Sequence, residues 1–163
     1  MHVQTIAYRA LNPIWVRDPL SGEGARKYGG RFNAKGTPAL YLALDAMTAV
    51  REISQIGQPL QPTVLVSYHV DAKPIFDATA PDALTAYAMT PADLAANDWR
   101  MHTPALTQTL AARLIADGYA GMRAPSFARG VPPHAMNLVL WHWGPDLPSR
   151  VTMIDDERRL TPA

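Results

Sequence analysis

Apolar positions recur along this chain in two rhythms. Thr63 to Val70 is rich in β-branched residues and alternates apolar with polar positions, which predicts a strand. Ala39 to Ala43, started by Thr37-Pro38, predicts another. Its alternation puts Leu40 and Leu42 on one face and Ala39, Tyr41 and Ala43 on the other. The leucines belong in the core, so Tyr41 is aimed the opposite way, between two alanines that leave room beside it. Thr5–Arg9, Ile75–Asp77, Tyr119–Arg123, Asn137–Trp143 and Val151–Ile154 predict further short strands, with Trp141 and Trp143 sharing one buried strand face. The second rhythm is helical. Ala46, Ala49, Val50, Ile53 and Ile56 fall on one helix face, with Asp45 as N-cap and Gly57 as stop. Glu52 lies about 100° from the centre of that stripe, at the flank where a carboxylate can be partly buried at a cleft edge. Residues 80–118 are alanine-rich and helical in character, broken before Pro91 and Pro104. Thr103 is the expected cap of the last helix, Gly118 its stop, and Leu106, Leu110 and Leu114 its buried face. Residues 18–37 hold five glycines and predict a long ordered loop, and Pro125 to Pro133 a second one. The sum is an α+β fold, a mixed β-sheet core with flanking helices.

Composition narrows this picture. At 163 residues the chain is expected to form a single domain, residues 1–163, able to bury about 70% of its extended surface without covalent staples. Its 15 prolines favour short, firmly ended elements over a helical bundle. With no cysteine there is no disulfide, thiolate metal site or cysteine nucleophile, which suits a cytoplasmic protein. Fifteen basic and fourteen acidic residues give a net charge of +1 without a basic run, so no direct nucleic-acid contact is expected. No apolar stretch is long enough for a membrane span, and the first residues lack the pattern of a secretory leader. The five histidines, His2, His69, His102, His134 and His142, do not have metal-ligand spacing, and no metal is expected.

Chemistry concentrates in Tyr28-Gly29-Gly30-Arg31-Phe32-Asn33, followed by Tyr41 and Glu52, all within 25 residues. The glycine pair lets the backbone turn tightly and a ligand come close. Arg31 offers a planar fork of donors suited to pyrophosphate oxygens. Asn33 can tie the loop through its amide. Tyr41 can cover a flat ring, and Glu52 can face a developing cation. Taken singly, each has an ordinary structural explanation: a surface turn, a sheet tyrosine, a solvated helix carboxylate. The ordered set on loop, strand and helix is what points to a site that splits a dinucleotide. Ser126, with Arg123 and Arg129 nearby, can donate to a phosphate or ribose, but no His–Asp pair accompanies it to make it a nucleophile. Lys35 precedes Gly36 and Thr37, the wrong order for a triphosphate-binding loop, and no Gly-x-Gly-x-x-Gly segment occurs.

The run Tyr28–Asn33, then Gly36-Thr-Pro-Ala-Leu-Tyr-Leu-Ala43, Glu52, Ser126 and Asn137-Leu-Val-Leu140 resembles the RES domain, a family named for its Arg, Glu and Ser. The likeness runs from about Tyr8 to Trp143. It implies an ADP-ribosyltransferase-like fold and NAD+ as substrate. It further implies a toxin of a bacterial toxin–antitoxin pair, with a cognate Xre-type antitoxin carrying a helix-turn-helix. Family members pass ADP-ribose to water, to phosphate, or to a protein, including a phosphoribosyl-pyrophosphate synthetase. Carried over by motif, Arg31, Tyr41 and Glu52 are the implied catalytic set, with Ser126, Tyr28, Asn33 and Arg9 as substrate contacts. A non-catalytic module that holds a nucleotide or a protein partner is the competing class.

Overall fold

The structure, a computed structural model, describes residues 1–54 and 58–160. A seven-stranded sheet organises these residues. Its strands are β1 (Val3–Leu11), β2 (Leu40–Ala43), β3 (Val64–Ala72), β4 (Ile75–Asp77), β5 (Gly121–Pro125), β6 (Met136–Leu140) and β7 (Ser149–Met153), in the order β4-β5-β6-β2-β1-β3-β7. Only β4 and β5 run parallel; every other pair is antiparallel. Among the described residues five α-helices accompany them: α1 (Glu23–Tyr28), α2 (Ala46–Ile53), α3 (Pro81–Thr85), α4 (Pro91–Ala95) and α5 (Leu106–Ala116). This is the mixed α+β architecture that the two rhythms predict.

Period-two alternation divides the side chains between two cores. Leu40, Leu42, Leu138 and Leu140 join Ala7, Tyr68 and Val70 on one face. Val139 and Met122 join Leu84, Leu94, Leu110 and Leu114 on the other, beneath α3, α4 and α5. Tyr41 packs against this second cluster, opposite Val139 in the ladder, as its place between Leu40 and Leu42 requires. At about 25 cal/mol per Å2 of buried apolar surface, each fully buried leucine contributes on the order of 2 kcal/mol.

The join between β1 and β2 positions the site. β1 follows β3 through nine paired residues but meets β2 at a single register pair, Tyr8 with Ala43. The two central strands therefore part, and a cleft opens between them. Asp45 caps α2 as expected, accepting from the Thr48 amide at 2.8 Å and its hydroxyl at 2.5 Å. The helix rests Ala49 on Ala10 and Ala43, beside that gap. Ile56 and Gly57 lie outside the described residues.

Several sequence expectations change. The glycine-rich segment is not all loop: residues 23–28 form α1, which buries no side chain and so carries no apolar periodicity to read. Leu106 is 62% exposed, whereas Leu110 and Leu114 are buried as predicted. Thr103 does not cap α5; the cap position is Ala105, whose amide donates to the Gln108 side chain. Trp141 and Trp143 do not share a face, because β6 ends at Leu140 and the chain turns. Trp141 packs in the second core and donates to the Phe32 carbonyl, while Trp143 packs against the first and donates to Leu20. Gly118 closes α5 with a φ of 87°, the left-handed stop that glycine permits.

Candidate functional site

Two adjoining clefts share one ridge. The first, about 380 Å3, opens where β1 and β2 part and is walled mainly by Tyr8, Ala10, Leu11, Trp15, Ala49 and Ile53. The second, about 440 Å3, is walled by Arg31, Arg51, Arg100 and Arg129 with the rings of Phe32, Trp99 and Phe127. Tyr41, Glu52 and Asn137 line both and form the ridge between them. One side is mostly apolar and aromatic and the other strongly basic. Each has the volume of a small-molecule site.

Glu52 projects from the last turn of α2 onto this ridge. Its Oε1 accepts from the Ser126 hydroxyl at 2.5 Å and from the Asn137 amide at 2.5 Å. The residue is exposed, in contrast to the partly buried flank position expected from the helix wheel. Ser126 is delivered by the loop after β5, whose first amide donates to Ala135 and closes the loop upon itself. Asn137 is the second residue of β6, paired with Ala43 in the ladder. Sequence reasoning gave Asn137 no role beyond a strand position in a motif. The available signal was a polar residue two places before Val139, on a face otherwise apolar.

Arg31 is held on the floor of the basic cleft. Its Nη1 donates to the carbonyls of Leu94 and Ala96 at 2.9 and 2.8 Å, at the C-terminal end of α4. Its guanidinium lies 4.7 Å from the Phe127 ring centre and 5.9 Å from that of Trp99. Burial pushes this guanidinium down from its ordinary pKa; the negative charge of Glu52 opposes the shift and the positive charge of Arg100 adds to it. Arg31 and Glu52 thus feel each other across one cleft.

Tyr41 presents its ring to both clefts, but its hydroxyl is engaged. It donates to Asn33 Oδ1 at 2.7 Å and accepts from the Phe32 amide at 3.0 Å. Burial, the largest influence, raises its pKa well above the usual phenol range. Asn33 is itself buried and donates to the carbonyls of Ala25 and Thr37, so it is the knot of the Gly29–Asn33 turn. Gly30 is needed for contact: a Cβ there would sit 2.5 Å from the Tyr41 hydroxyl. Gly29 is needed for conformation, with a φ of 73°.

Tyr28 does not join the ridge. It is 67% exposed on α1, beside a separate depression that includes Lys27 and Lys35. Arg9 lines the first cleft, and its Nη1 donates to the carbonyls of Pro19 and Ser21 at 3.3 and 3.1 Å. Burial lowers its pKa against the pull of Tyr68 and Asp18, while burial raises the neighbouring Tyr68 phenol to about 12. Arg123, one of the two arginines flanking Ser126 in sequence, is paired with Asp77 at 2.7 Å. Among the described residues no group of three or more His, Cys, Asp or Glu side chains is placed to hold a metal ion, and no helix is long and apolar enough to cross a membrane.

A split mixed sheet with α2 standing over the gap defines an ADP-ribosyltransferase-like fold. A chain of the crystal structure of the Mycobacterium tuberculosis MbcT–MbcA toxin–antitoxin complex superposes with a TM-score of 0.63 at 27% identity, covering 86% of this chain and 75% of that one. A family model described as the RES domain matches residues 6–162, and the chain belongs to that family. Over 93 residues it is 34% identical to the NAD(+) phosphorylase MbcT of M. tuberculosis H37Rv, covering 51% of this chain and 50% of the relative. Over 48 residues it is 42% identical to Toxin Res of Photorhabdus laumondii, covering 29% and 31% of the two chains. The chain spans about half the length, or less, of these curated relatives.

Proposed function

We propose that this protein cleaves the nicotinamide–ribose bond of NAD+ and transfers ADP-ribose to an acceptor, as the toxin of a toxin–antitoxin pair. The observation that carries the reading is Glu52 on the ridge between an apolar cleft and a basic one. A dinucleotide laid across it puts nicotinamide among Tyr8, Trp15 and Ile53, and pyrophosphate toward Arg31. The ribose between them meets Tyr41, Glu52 and Asn137. Relatives named as an NAD(+) phosphorylase and as a Res toxin support the chemistry and the toxin role.

Breaking the bond builds positive charge on the ribose. Glu52 offers a carboxylate to that charge and to the 2′-hydroxyl as the charge develops. Ser126 and Asn137 fix its rotamer by converging on one oxygen, which leaves Oε2 free for the sugar. Nicotinamide leaves without a proton, because departure neutralises its ring, so one carboxylate suffices. Arg31 holds the pyrophosphate with the donors it does not spend on Leu94 and Ala96. Tyr41 contributes its ring to the ridge, and its hydroxyl acts through the turn that aims Arg31.

An enzyme that consumes NAD+ requires restraint in its host, and a structural neighbour comes from the MbcT–MbcA toxin–antitoxin complex. The proposed partner is accordingly a cognate antitoxin of the Xre type, which would make the DNA contacts. The open position of Glu52 also admits a protein side chain as acceptor. Incubating the purified protein with labelled NAD+, with and without phosphate and lysate, tests these readings by mass analysis. Free nicotinamide with ADP-ribose or its phosphate is expected, and label retained on a protein identifies a protein acceptor. Glu52→Gln is expected to keep the fold and abolish turnover. Intact NAD+ under every condition, or a fully active Glu52→Gln protein, refutes the proposal.

A further inference from the structure

Gln108 lines neither cleft, yet its side-chain amide holds the turn that carries Arg31. It is the third residue of α5, and its Oε1 accepts from the Ala105 amide at 3.2 Å, the reach back to the cap position that glutamine commonly makes there. The other end of the amide leaves the helix. Nε2 donates to the Gly30 carbonyl at 2.9 Å and to the Asn33 carbonyl at 3.3 Å, 78 and 75 positions away in sequence. Chemistry fixes this orientation: an oxygen in place of Nε2 would face two carbonyl oxygens, and a nitrogen in place of Oε1 would face an N–H. Gly30 and Asn33 are the two legs of the turn. The Gly30 amide donates to the Asn33 carbonyl at 2.9 Å, and the Asn33 amide returns to the Gly30 carbonyl at 3.4 Å. Arg31 and Phe32 occupy the tip. One amide therefore grips both legs at the base, while the Arg31 side chain is fastened to the Leu94 and Ala96 carbonyls. The chain between these two fastenings, from Ala96 to Ala105, carries Trp99 and Arg100, which wall the basic cleft. The turn and that wall are tied into one unit at both ends.

We propose that Gln108 is a positioning residue for the diphosphate half of the substrate: its amide seats the Arg31 turn on α5, so that the guanidinium donors not spent on Leu94 and Ala96 meet the phosphate oxygens. This rests on the reading of the basic cleft as the diphosphate grip. Helix capping accounts for Oε1 alone; the Nε2 protons are spent on the turn. A turn released from α5 would leave Arg31 its two carbonyl anchors without a fixed backbone origin, and the guanidinium would pivot about Nη1. A planar fork must meet phosphate oxygens in direction as well as distance, so small rotations cost affinity. Loss of Gln108 therefore acts through Arg31 and falls on ligands that carry a diphosphate.

The test is a double-mutant cycle on the full chain, read as ADP-ribose affinity by calorimetry. Gln108→Met keeps the length of the side chain and removes both of its hydrogen-bonding ends. It should weaken ADP-ribose binding about tenfold, the worth of one charge-assisted hydrogen bond at Arg31. In an Arg31→Ala background the same substitution should change affinity less than about twofold, because the group it aims is gone. Gln108→Glu retains the acceptor for the Ala105 amide but sets an oxygen against two carbonyls. It should behave in the cycle as the methionine does, and it keeps the helix cap should Gln108→Met fold poorly. The KM for nicotinamide riboside, which lacks the diphosphate, should stay within about twofold of native in both variants. Equal losses of ADP-ribose affinity with and without Arg31, native affinity in both Gln108 variants, or a matching rise in the riboside KM would overturn the positioning role and leave Gln108 as a helix cap alone. A native protein that binds no ADP-ribose would instead refute the diphosphate reading of the cleft, and this role with it.

Discussion

Removing one oxygen atom from Tyr41 separates a scaffold hydroxyl from a substrate contact. In Tyr41→Phe the Phe32 amide loses its acceptor and Asn33 Oδ1 loses its donor. Phe32 is 4% exposed and Asn33 1%, so water cannot readily replace either bond. An unsatisfied buried group costs about 1–3 kcal/mol, so the pair should cost about 2–6 kcal/mol. Against a total stability on the order of 5–15 kcal/mol this is large, and for a chain of this size it lowers Tm by roughly 4–24 °C. Gly30→Ala provides the cross-check. Its new Cβ would fall 2.5 Å from the Tyr41 hydroxyl and 2.7 Å from Asn33 Oδ1, and removing the hydroxyl relieves the first of these clashes and frees Asn33 to shift away from the second. Urea unfolding of both single variants and the double variant should therefore show a coupling of about 1 kcal/mol or more, with the alanine less harmful in the Tyr41→Phe background. Additive effects, or a Tyr41→Phe protein as stable as the native one with only its KM for NAD+ altered, would refute the scaffold role of this hydroxyl.

Ser126→Ala and Asn137→Ala each remove one donor from Glu52 Oε1. Each should slow nicotinamide release about ten- to a hundredfold with little change in KM, measured by steady-state kinetics. Asp45 is held below the usual carboxylate range, first by the Thr48 hydroxyl and then by the Thr48 amide. A depressed folded pKa contributes stability that is complete above the unfolded value of about 3.9 and is lost as pH falls through the folded value. Asp45→Asn keeps the cap and removes that titration, so the stability advantage of the native protein should shrink as pH falls below the unfolded value of about 3.9 in acid unfolding. Nicotinamide riboside, which lacks the pyrophosphate and adenosine, should be turned over with a lower kcat as well as a weaker KM; an unchanged kcat would show that the basic cleft contributes only to binding.

The sheet and the ridge carboxylate were legible because they rest on local rules. Leu40, Tyr41 and Leu42 alternate about a strand, and that alone places Tyr41 on the opposite face from the leucines. Asp45 starts α2 through a side-chain cap, and the helix wheel then fixes where Glu52 lies relative to Ala49. Misreadings came where long-range packing decides. α1 has no buried residue, so no periodicity separates it from loop. Tyr28 belongs to the same motif as Arg31 in sequence, yet α1 ends at Tyr28 and turns its ring outward. Trp141 and Trp143 have strand spacing, but the Trp141 and His142 amides both turn back to the Ala120 carbonyl and send the two rings to different cores. Asn137 was invisible as a Glu52 partner because the contact joins residues 85 positions apart.

The chemistry proposed for Glu52 also explains why an open position serves it. A glycosidase acid must keep a proton to give away, and enzymes commonly secure this by burying the carboxyl group. Two donors converging on Glu52 Oε1 fix the carboxyl group in place and leave Oε2 to face the sugar, an arrangement suited to stabilising a cation. Solvent would weaken that stabilisation by screening the charge. The remedy lies in the substrate: a molecule long enough to occupy both clefts covers the ridge between them and excludes water at the moment charge develops. Contacts in the apolar and basic clefts, remote from the reacting bond, are thus converted into electrostatic strength at the sugar. On the proposed chemistry, an exposed carboxylate between two dissimilar depressions is thus completed by the substrate that bridges them.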